Sequence, residues 1–377
     1  MASVAVQATK VRAGVRNAAG DRRRWTGSRA EGTGVVSEVG GQIDPSLGLR
    51  PGVRVAFFPA PGSWRDEVVV PAGSVVRLPD SIPDEVGAQV LINTASALTA
   101  IRAAHNSLPP DARTGVVVLV TAAGSAVGRL LCKLLTNRGV KVIGLVRSEA
   151  GAAKLTGILP GFPFFATDVA GWKDRVRAAA EGAKIHTAID SVGGRLLGDI
   201  GELLAEGTGT VINYGSLGGE TSDIRIFPPR CLTLKGVVLG QWLQLPPEQR
   251  KADFALALQL AHEHGPLFEV AERYPPSRIA DAVAHIGQPG RAGSVRTQGG
   301  AISSTRTPAS FSRKTLRKGV GVERRLGRGI DRRERERHEA QDRTRISNDR
   351  IVPLLQMPDE RGTHADRPHQ VGGDRVD

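Results

Sequence analysis

Cysteine is nearly absent from this 377-residue chain, which has only Cys132 and Cys231 and no Cys-x-x-Cys spacing. Neither a disulfide framework nor a cysteine-based zinc site can be read from two such distant thiols. Cys132 lies among leucines at helical spacing and is expected in a core. Long apolar runs are missing too: none approaches the ~20 residues that cross a bilayer, so no membrane partner is expected. The central part of the chain lacks net charge. Residues 30–295 carry 25 Lys and Arg against 25 acids. The basic excess sits at the ends, with seven against one in residues 1–29 and nineteen against twelve in residues 296–377. A nucleic-acid footprint is therefore not expected in the folded middle. Residues 296–377 contain no Trp or Tyr and a single Phe, Phe311, too little to bury a core.

The most informative stretch is residues 116–128, VVVLVTAAGSAVG. An all-apolar run leads into small residues, and Leu130, Leu131, Leu134 and Leu135 then follow at helical spacing. This is a buried parallel strand, a tight turn and a helix ending near Gly139. Small residues leave the N–H groups of such a turn open to a phosphate at the helix N-terminus. The plain alternative is an ordinary strand-to-helix turn packed with small residues. The same alternation recurs downstream. Strands are expected at residues 140–146, 162–166, 185–190, 209–214 and 232–239, with helices at 173–181, 196–204 and 246–264. Six strands alternating with helices imply an α/β doubly wound parallel sheet, the Rossmann arrangement. Upstream, short alternating strands at 31–39, 49–58 and 62–71 suggest a small β-domain. A capped helix starts at Ser81-Ile82-Pro83-Asp84-Glu85.

Arg147 and Ser148 close the second strand of the sheet. An acid there would hold the ribose 2′-hydroxyl of NAD, whereas a cation accommodates the 2′-phosphate of NADP. Arg147 can grip a phosphate bidentately, and Ser148 adds a hydroxyl. The bland reading is an exposed arginine at a strand end.

The segments EGTGVVSEVG, RPGVRVAFF and GSWRDEVVVPAGSVVRLPD resemble the medium-chain dehydrogenase/reductase superfamily. GSWRDEVVV is similar to the mitochondrial-type trans-2-enoyl-thioester reductases. The resemblance implies a partial GroES-like β-barrel catalytic domain at residues 30–85 and 266–295 and an NADP-binding domain at 86–265. Asn93-Thr94-Ala95-Ser96-Ala97 looks like the family's Asn-Pro-x-Thr-Ala element, which makes Asn93 a cofactor neighbour and leaves Asn93 and Ser96 as the nearest catalytic candidates. Gly124, Ser125, Ala126, Val127 and Gly128 stand where the reductases have their cofactor turn. Tyr214, Gly215, Ser216 and Leu217 resemble the Tyr-Gly-Gly-x element, and Val237, Val238 and Leu239, before Gln241-Trp242, resemble an aromatic cofactor-side stretch. Zinc is argued against, because Arg29-Ala30-Glu31 replaces the Gly-His-Glu element of zinc-dependent relatives. The family tyrosine expected before residue 31 is absent from GDRRRWTGSRAEG, and its closing-strand lysine is Ser294.

These features imply an NADP(H)-dependent reductase of an activated double bond, a 2-enoyl thioester in the first instance. A quinone oxidoreductase is the alternative, and a catalytically impaired NADPH-binding protein is the rival of another class. The partner is a small-molecule substrate, with a homodimer as the expected assembly. Residues 1–29 are expected to be a disordered leader, although their composition resembles a mitochondrial transit peptide. The family pattern is lost beyond Val295, so residues 296–377 are expected as a disordered tail and the closing strand as missing. Loss of pattern at both ends is what a shifted reading frame in GC-rich DNA produces. The expected location is the cytoplasm, with the mitochondrion as the alternative.

Overall fold

The computed structural model describes residues 3–12, 31–40, 43–60, 63, 67–108, 115–218, 221–263, 265–286, 288 and 293–298. All of them lie in the compact unit Met1–Ala301. Trp64, Arg65 and Asp66 of GSWRDEVVV and the tail beyond residue 298 fall outside the described residues.

Two sheets organise the unit. The six-stranded sheet is β6 (Val117–Val120), β7 (Lys141–Val146), β8 (Phe164–Ala166), β9 (Ile185–Asp190), β10 (Thr210–Asn213) and β11 (Thr233–Gly236), in spatial order β11-β10-β9-β6-β7-β8. Every neighbouring pair in it is parallel. The order reverses direction between β6 and β9, which is the switch point where doubly wound sheets open a crevice for ligands. Its central strands β6, β7, β9 and β10 are largely buried on both faces, as a sheet covered twice by helices requires. All four residues of β6 are buried.

The helices follow from caps and periodicity. Ser125 caps α2 (Ala126–Thr136) by accepting from the Gly128 N–H at 3.0 Å. Ser148 caps α3 (Glu149–Ile158) by accepting from Gly151 N at 3.3 Å. Each cap satisfies one of the N–H groups that a first helical turn leaves orphaned. The long α1 (Asp84–His105) begins after Pro83, where the sequence places its start. Then come α4 (Trp172–Ala179), α5 (Leu196–Leu203), α6 (Leu239–Leu243), α7 (Pro247–Glu263) and α8 (Ile279–Ile286). The region 162–166 expected as a strand is trimmed to β8, and 232–239 to β11, whose four residues are all exposed.

The second sheet has seven strands: β1 (Ser3–Arg12), β2 (Gly32–Val39), β3 (Arg54–Phe57), β4 (Glu67–Pro71), β5 (Val75–Arg77), β12 (Val270–Tyr274) and β13 (Ser294–Gln298). Two expectations are corrected here. The supposed disordered leader contributes β1, which pairs antiparallel with β2, β4 and β13. Its backbone gains partners from three separate parts of the chain, so local composition could not reveal it. The closing strand thought lost is present as β13, running on past Val295. Residues 274–286 come next in the fold. They hold the short α8, preceded by a 3₁₀ turn at Pro276–Arg278, while β12 ends at Tyr274. Val295, 2% exposed, packs with Ala282 and Ile286 of α8.

Candidate functional site: the β6–α2 turn and its surroundings

The turn from β6 into α2 sits at the switch point. Ala122 takes a φ of 45° there, a left-handed conformation that strains a non-glycine residue. It is held by backbone bonds on both sides: Thr121 N donates to Ile189 O at 3.1 Å, and Ala123 N donates to Leu145 O at 3.0 Å. Gly128 is required by contact rather than by torsion. A Cβ on it would lie 2.8 Å from Ala123 Cα and 2.9 Å from Ala123 O, both backbone atoms that cannot swing away. Gly124 is less confined, since a Cβ there would meet only Leu155 Cδ1 of α3 at 3.7 Å. The Ser125 hydroxyl oxygen is used in capping. The N–H groups of Ala126 and Val127 remain as the donors that a helix's first turn offers to an anion.

Below this turn a buried carboxylate ties three strand ends together. Asp190, fully buried at the end of β9, accepts from Thr121 Oγ1 at 2.6 Å, Val192 N at 3.0 Å, Gly193 N at 2.9 Å and Asn213 Nδ2 at 2.8 Å. Ser191 N in turn donates to Thr121 Oγ1 at 3.1 Å. A charge taken out of water needs such compensation, and four donors supply it. Sequence reasoning missed this hub. The signal in the sequence is Asp190 at a strand end followed by Ser-Val-Gly-Gly.

Tyr214 follows β10, and its N–H donates to Asp190 O at 2.9 Å. Its hydroxyl is buried with no hydrogen-bond partner among the described residues. Burial pushes the phenol up to about 12, and the nearby Ser191 and Ser125 hydroxyls pull the other way without completing a hydrogen bond. Gly215, Ser216 and Leu217 continue the loop, pinned by Leu217 N donating to Ser191 O at 3.0 Å. Leu217 itself is 62% exposed. Thus Gly124–Gly128 and Tyr214–Leu217 meet at one sheet edge through Asp190 and Ser191.

Arg147 directly follows β7 as an exposed side chain with no hydrogen bond or ion pair among the described residues. It borders the same crevice, one strand over from the turn. Ser148, expected to help it, is occupied as the α3 cap. Val237 is buried, its N–H donating to Asn213 O at 2.8 Å, whereas Val238 is exposed and Leu239 opens α6. Trp242 is core: its ring lies tilted against Phe58 and Phe254 at 5.6 and 5.0 Å between ring centroids, and its Nε1 donates to Asp253 at 2.7 Å.

Asn93 is buried in α1, one residue past an unusual contact. The Glu31 carboxylate accepts from Leu91 N at 2.7 Å and Ile92 N at 2.9 Å, inserting an acid from before β2 into the side of the helix. Ser96, the other catalytic candidate, donates its hydroxyl to Ile92 O at 2.7 Å, so its proton is already engaged in this structure. Ser294, at the expected lysine position, bonds Gln89 Oε1 at 3.1 Å. Among the described residues there is no group of three or more His, Cys, Asp or Glu arranged to hold a metal, and no helix long and apolar enough to cross a membrane.

Arg129 and Glu269 are a second pair that the sequence did not disclose. Arg129, in the first turn of α2, is 1% exposed and donates from Nη1 to Glu269 Oε2 at 3.2 Å. Lys154 of α3 donates to the other Glu269 oxygen at 2.6 Å. Burial depresses the Arg129 pKa, and Glu269 only partly offsets it. Burial pushes the Glu269 carboxyl up, but Lys154 and Arg129 more than reverse this and leave it below the usual range.

Comparison with known proteins agrees with this architecture. Residues 126–263 match a family model described as zinc-binding dehydrogenase. A probable quinone oxidoreductase of Schizosaccharomyces pombe is 28% identical over 207 residues, covering 54% of this chain and 59% of the relative. The mitochondrial enoyl-[acyl-carrier-protein] reductase of Rattus norvegicus is 27% identical over 218 residues, covering 56% of each. The chain thus spans less than two thirds of either relative's length. Among solved structures, Escherichia coli quinone oxidoreductase complexed with NADPH superposes with a TM-score of 0.65 at 18% identity, over 78% of this chain and 91% of that one. A putative NADPH:quinone reductase from Bacillus thuringiensis gives 0.65 at 24% identity, over 78% and 90%. At these identities the structures establish the shared fold.

Proposed function

We propose that the chain belongs to the medium-chain dehydrogenase/reductase superfamily, a reading supported by the family match over residues 126–263 and by the two relatives above, and that it is an NADPH-dependent reductase of the zinc-free type acting on an activated double bond. The observation that carries this reading is the β6–α2 turn, where Gly128 packs against backbone and α2 opens at the switch point of the sheet, with Arg147, whose side chain is unpaired among the described residues, one strand away. The residues fit a phosphorylated dinucleotide. Ala126 and Val127 N–H groups would receive its diphosphate, and Arg147 its 2′-phosphate. Tyr214–Leu217 would border it at the sheet edge. When bound, NADPH supplies the hydride; the chain's part is to orient the acceptor beside α1 and exclude water.

The acceptor class is an enoyl thioester. The similarity of GSWRDEVVV to thioester reductases supports it, as does the named activity of the Rattus norvegicus relative. A quinone is the second reading, favoured by the name of the Schizosaccharomyces pombe relative. The fully exposed β11, at the open edge of the six-stranded sheet, supports a second copy of the chain as partner. The test is NADPH fluorescence titration of the full chain beside turnover with crotonyl-CoA and with a naphthoquinone. Saturable binding with crotonyl-CoA turnover is expected. Turnover of the quinone alone moves the chain to the second reading, binding without turnover makes it a non-catalytic binder, and no binding overturns the proposal.

A further inference from the structure

The geometry points to Arg129 as a buried anion-binding residue that completes the diphosphate site at the N-terminus of α2, with Glu269 as a built-in competitor for its charge. This rests on the cofactor reading above and assigns to it a residue that the turn motif does not include.

Three observations carry it. First, the guanidinium is short of acceptors. Its side chain is 2% exposed, and Nε and Nη2 have no hydrogen-bond partner among the described residues. Unsatisfied donors on a buried charge are costly, so a site that leaves two of them open is arranged for a further acceptor. Second, the one acid it touches among the described residues is shared. Glu269 sits 2.6 Å from Lys154 and 3.2 Å from Arg129, and its side chain is 32% exposed. Among the described residues two cations face one carboxylate, which leaves the cluster net positive. Third, the cluster lies beside the turn. Arg129 is the fourth residue of α2, and long helical side chains lean back toward the N-terminus over the preceding turn. Leu155, next to Lys154 on α3, packs against Gly124 of the same turn, within 3.7 Å of where its Cβ would stand. The positive end of the α2 dipole adds to the same field. A diphosphate there would receive two parallel N–H donors from one rigid fork, the geometry in which arginine binds such oxygens best.

A simple structural ion pair and an anion site with a competing acid predict opposite results for one substitution. Titration calorimetry of the full chain with inorganic diphosphate, and separately with NADPH, distinguishes them. Arg129→Gln is expected to weaken both by roughly ten- to a hundredfold, the usual cost of losing charged hydrogen bonds. Arg129→Lys, which keeps the charge should the glutamine variant fold poorly, is expected to recover part of that loss. Glu269→Gln is expected to tighten inorganic diphosphate by about three- to tenfold, because the nearby negative charge is gone. Unchanged diphosphate affinity in Arg129→Gln, or weaker binding in Glu269→Gln, overturns the inference. A wild-type chain that binds diphosphate but not NADPH would leave the inference standing and sink the cofactor reading. NADPH binding indifferent to Arg129 would do the reverse.

Discussion

The Thr121 hydroxyl donates to the Asp190 carboxylate at 2.6 Å, joining the end of β6 to the end of β9 where the sheet reverses its order. The same hydroxyl accepts from Ser191 N, so one side chain both satisfies a buried charge and fixes the loop that approaches Tyr214. Replacing it by the isosteric Thr121→Val leaves a carboxylate lone pair and a backbone N–H unpaired. The expected cost is about 1–3 kcal/mol of stability. Denaturant unfolding of both proteins reads it, with a lowered midpoint and an unchanged slope.

The two glycines of the turn should respond differently to one added methyl. Gly128→Ala forces a Cβ within 3 Å of Ala123 backbone atoms, so the turn must open. A stability loss of about 1–3 kcal/mol, the usual range for overpacking, is expected together with weaker NADPH binding. Gly124→Ala meets only Leu155 at ordinary contact distance and should stay within about 0.5 kcal/mol of the parent. Equal effects at both positions would mean that backbone approach is not what the turn requires.

The Arg147 side chain makes no hydrogen bond or ion pair among the described residues. Arg147→Glu should leave the thermal midpoint in place while reversing cofactor preference. A loss of roughly tenfold or more in NADPH affinity is expected, with NADH little affected. Paired fluorescence titrations with the two nucleotides give the ratio directly. A ratio that does not move would assign 2′-phosphate recognition to another residue.

Tyr214 supplies the pH prediction. Burial raises its folded-state pKa from 10.0 to about 12. The folded protein then holds this proton where the unfolded chain has released it. The associated stability is complete below about pH 10 and is lost as pH climbs toward 12. Thermal midpoints measured from pH 8 to 11 should therefore decline at the alkaline end. Tyr214→Phe should flatten that decline, and it removes a buried hydroxyl that lacks a partner, so little stability is expected to be lost near neutrality. An identical decline in the variant would place the alkaline sensitivity elsewhere.

The parallel sheet was legible because its signals are local. β6, β7, β9 and β10 are short apolar runs bounded by turns, and the serine caps of α2 and α3 lie within three residues of the groups they bond. The turn itself was legible for the same reason, since its small residues serve a contact between near neighbours in sequence. β1 was not, because a basic strand with partners in β2, β4 and β13 carries no local mark of that pairing. Nor was the use of Ser148 as a cap, which competes with its expected role at a phosphate.

What the sequence by itself determined is therefore the doubly wound sheet, its crevice turn and the cation at the end of β7, each fixed by periodicity, backbone permissiveness or charge within a few residues. Only the tertiary structure decided which charges are buried and what faces them. Asp190 gathers donors from 23 and 69 residues away in sequence, Glu31 reaches α1 across 60 residues, and Arg129 meets Glu269 across 140. Buried polar groups must find partners wherever the fold supplies them. Those partners are set by the closing of both sheets around the switch point, and a linear pattern does not encode them.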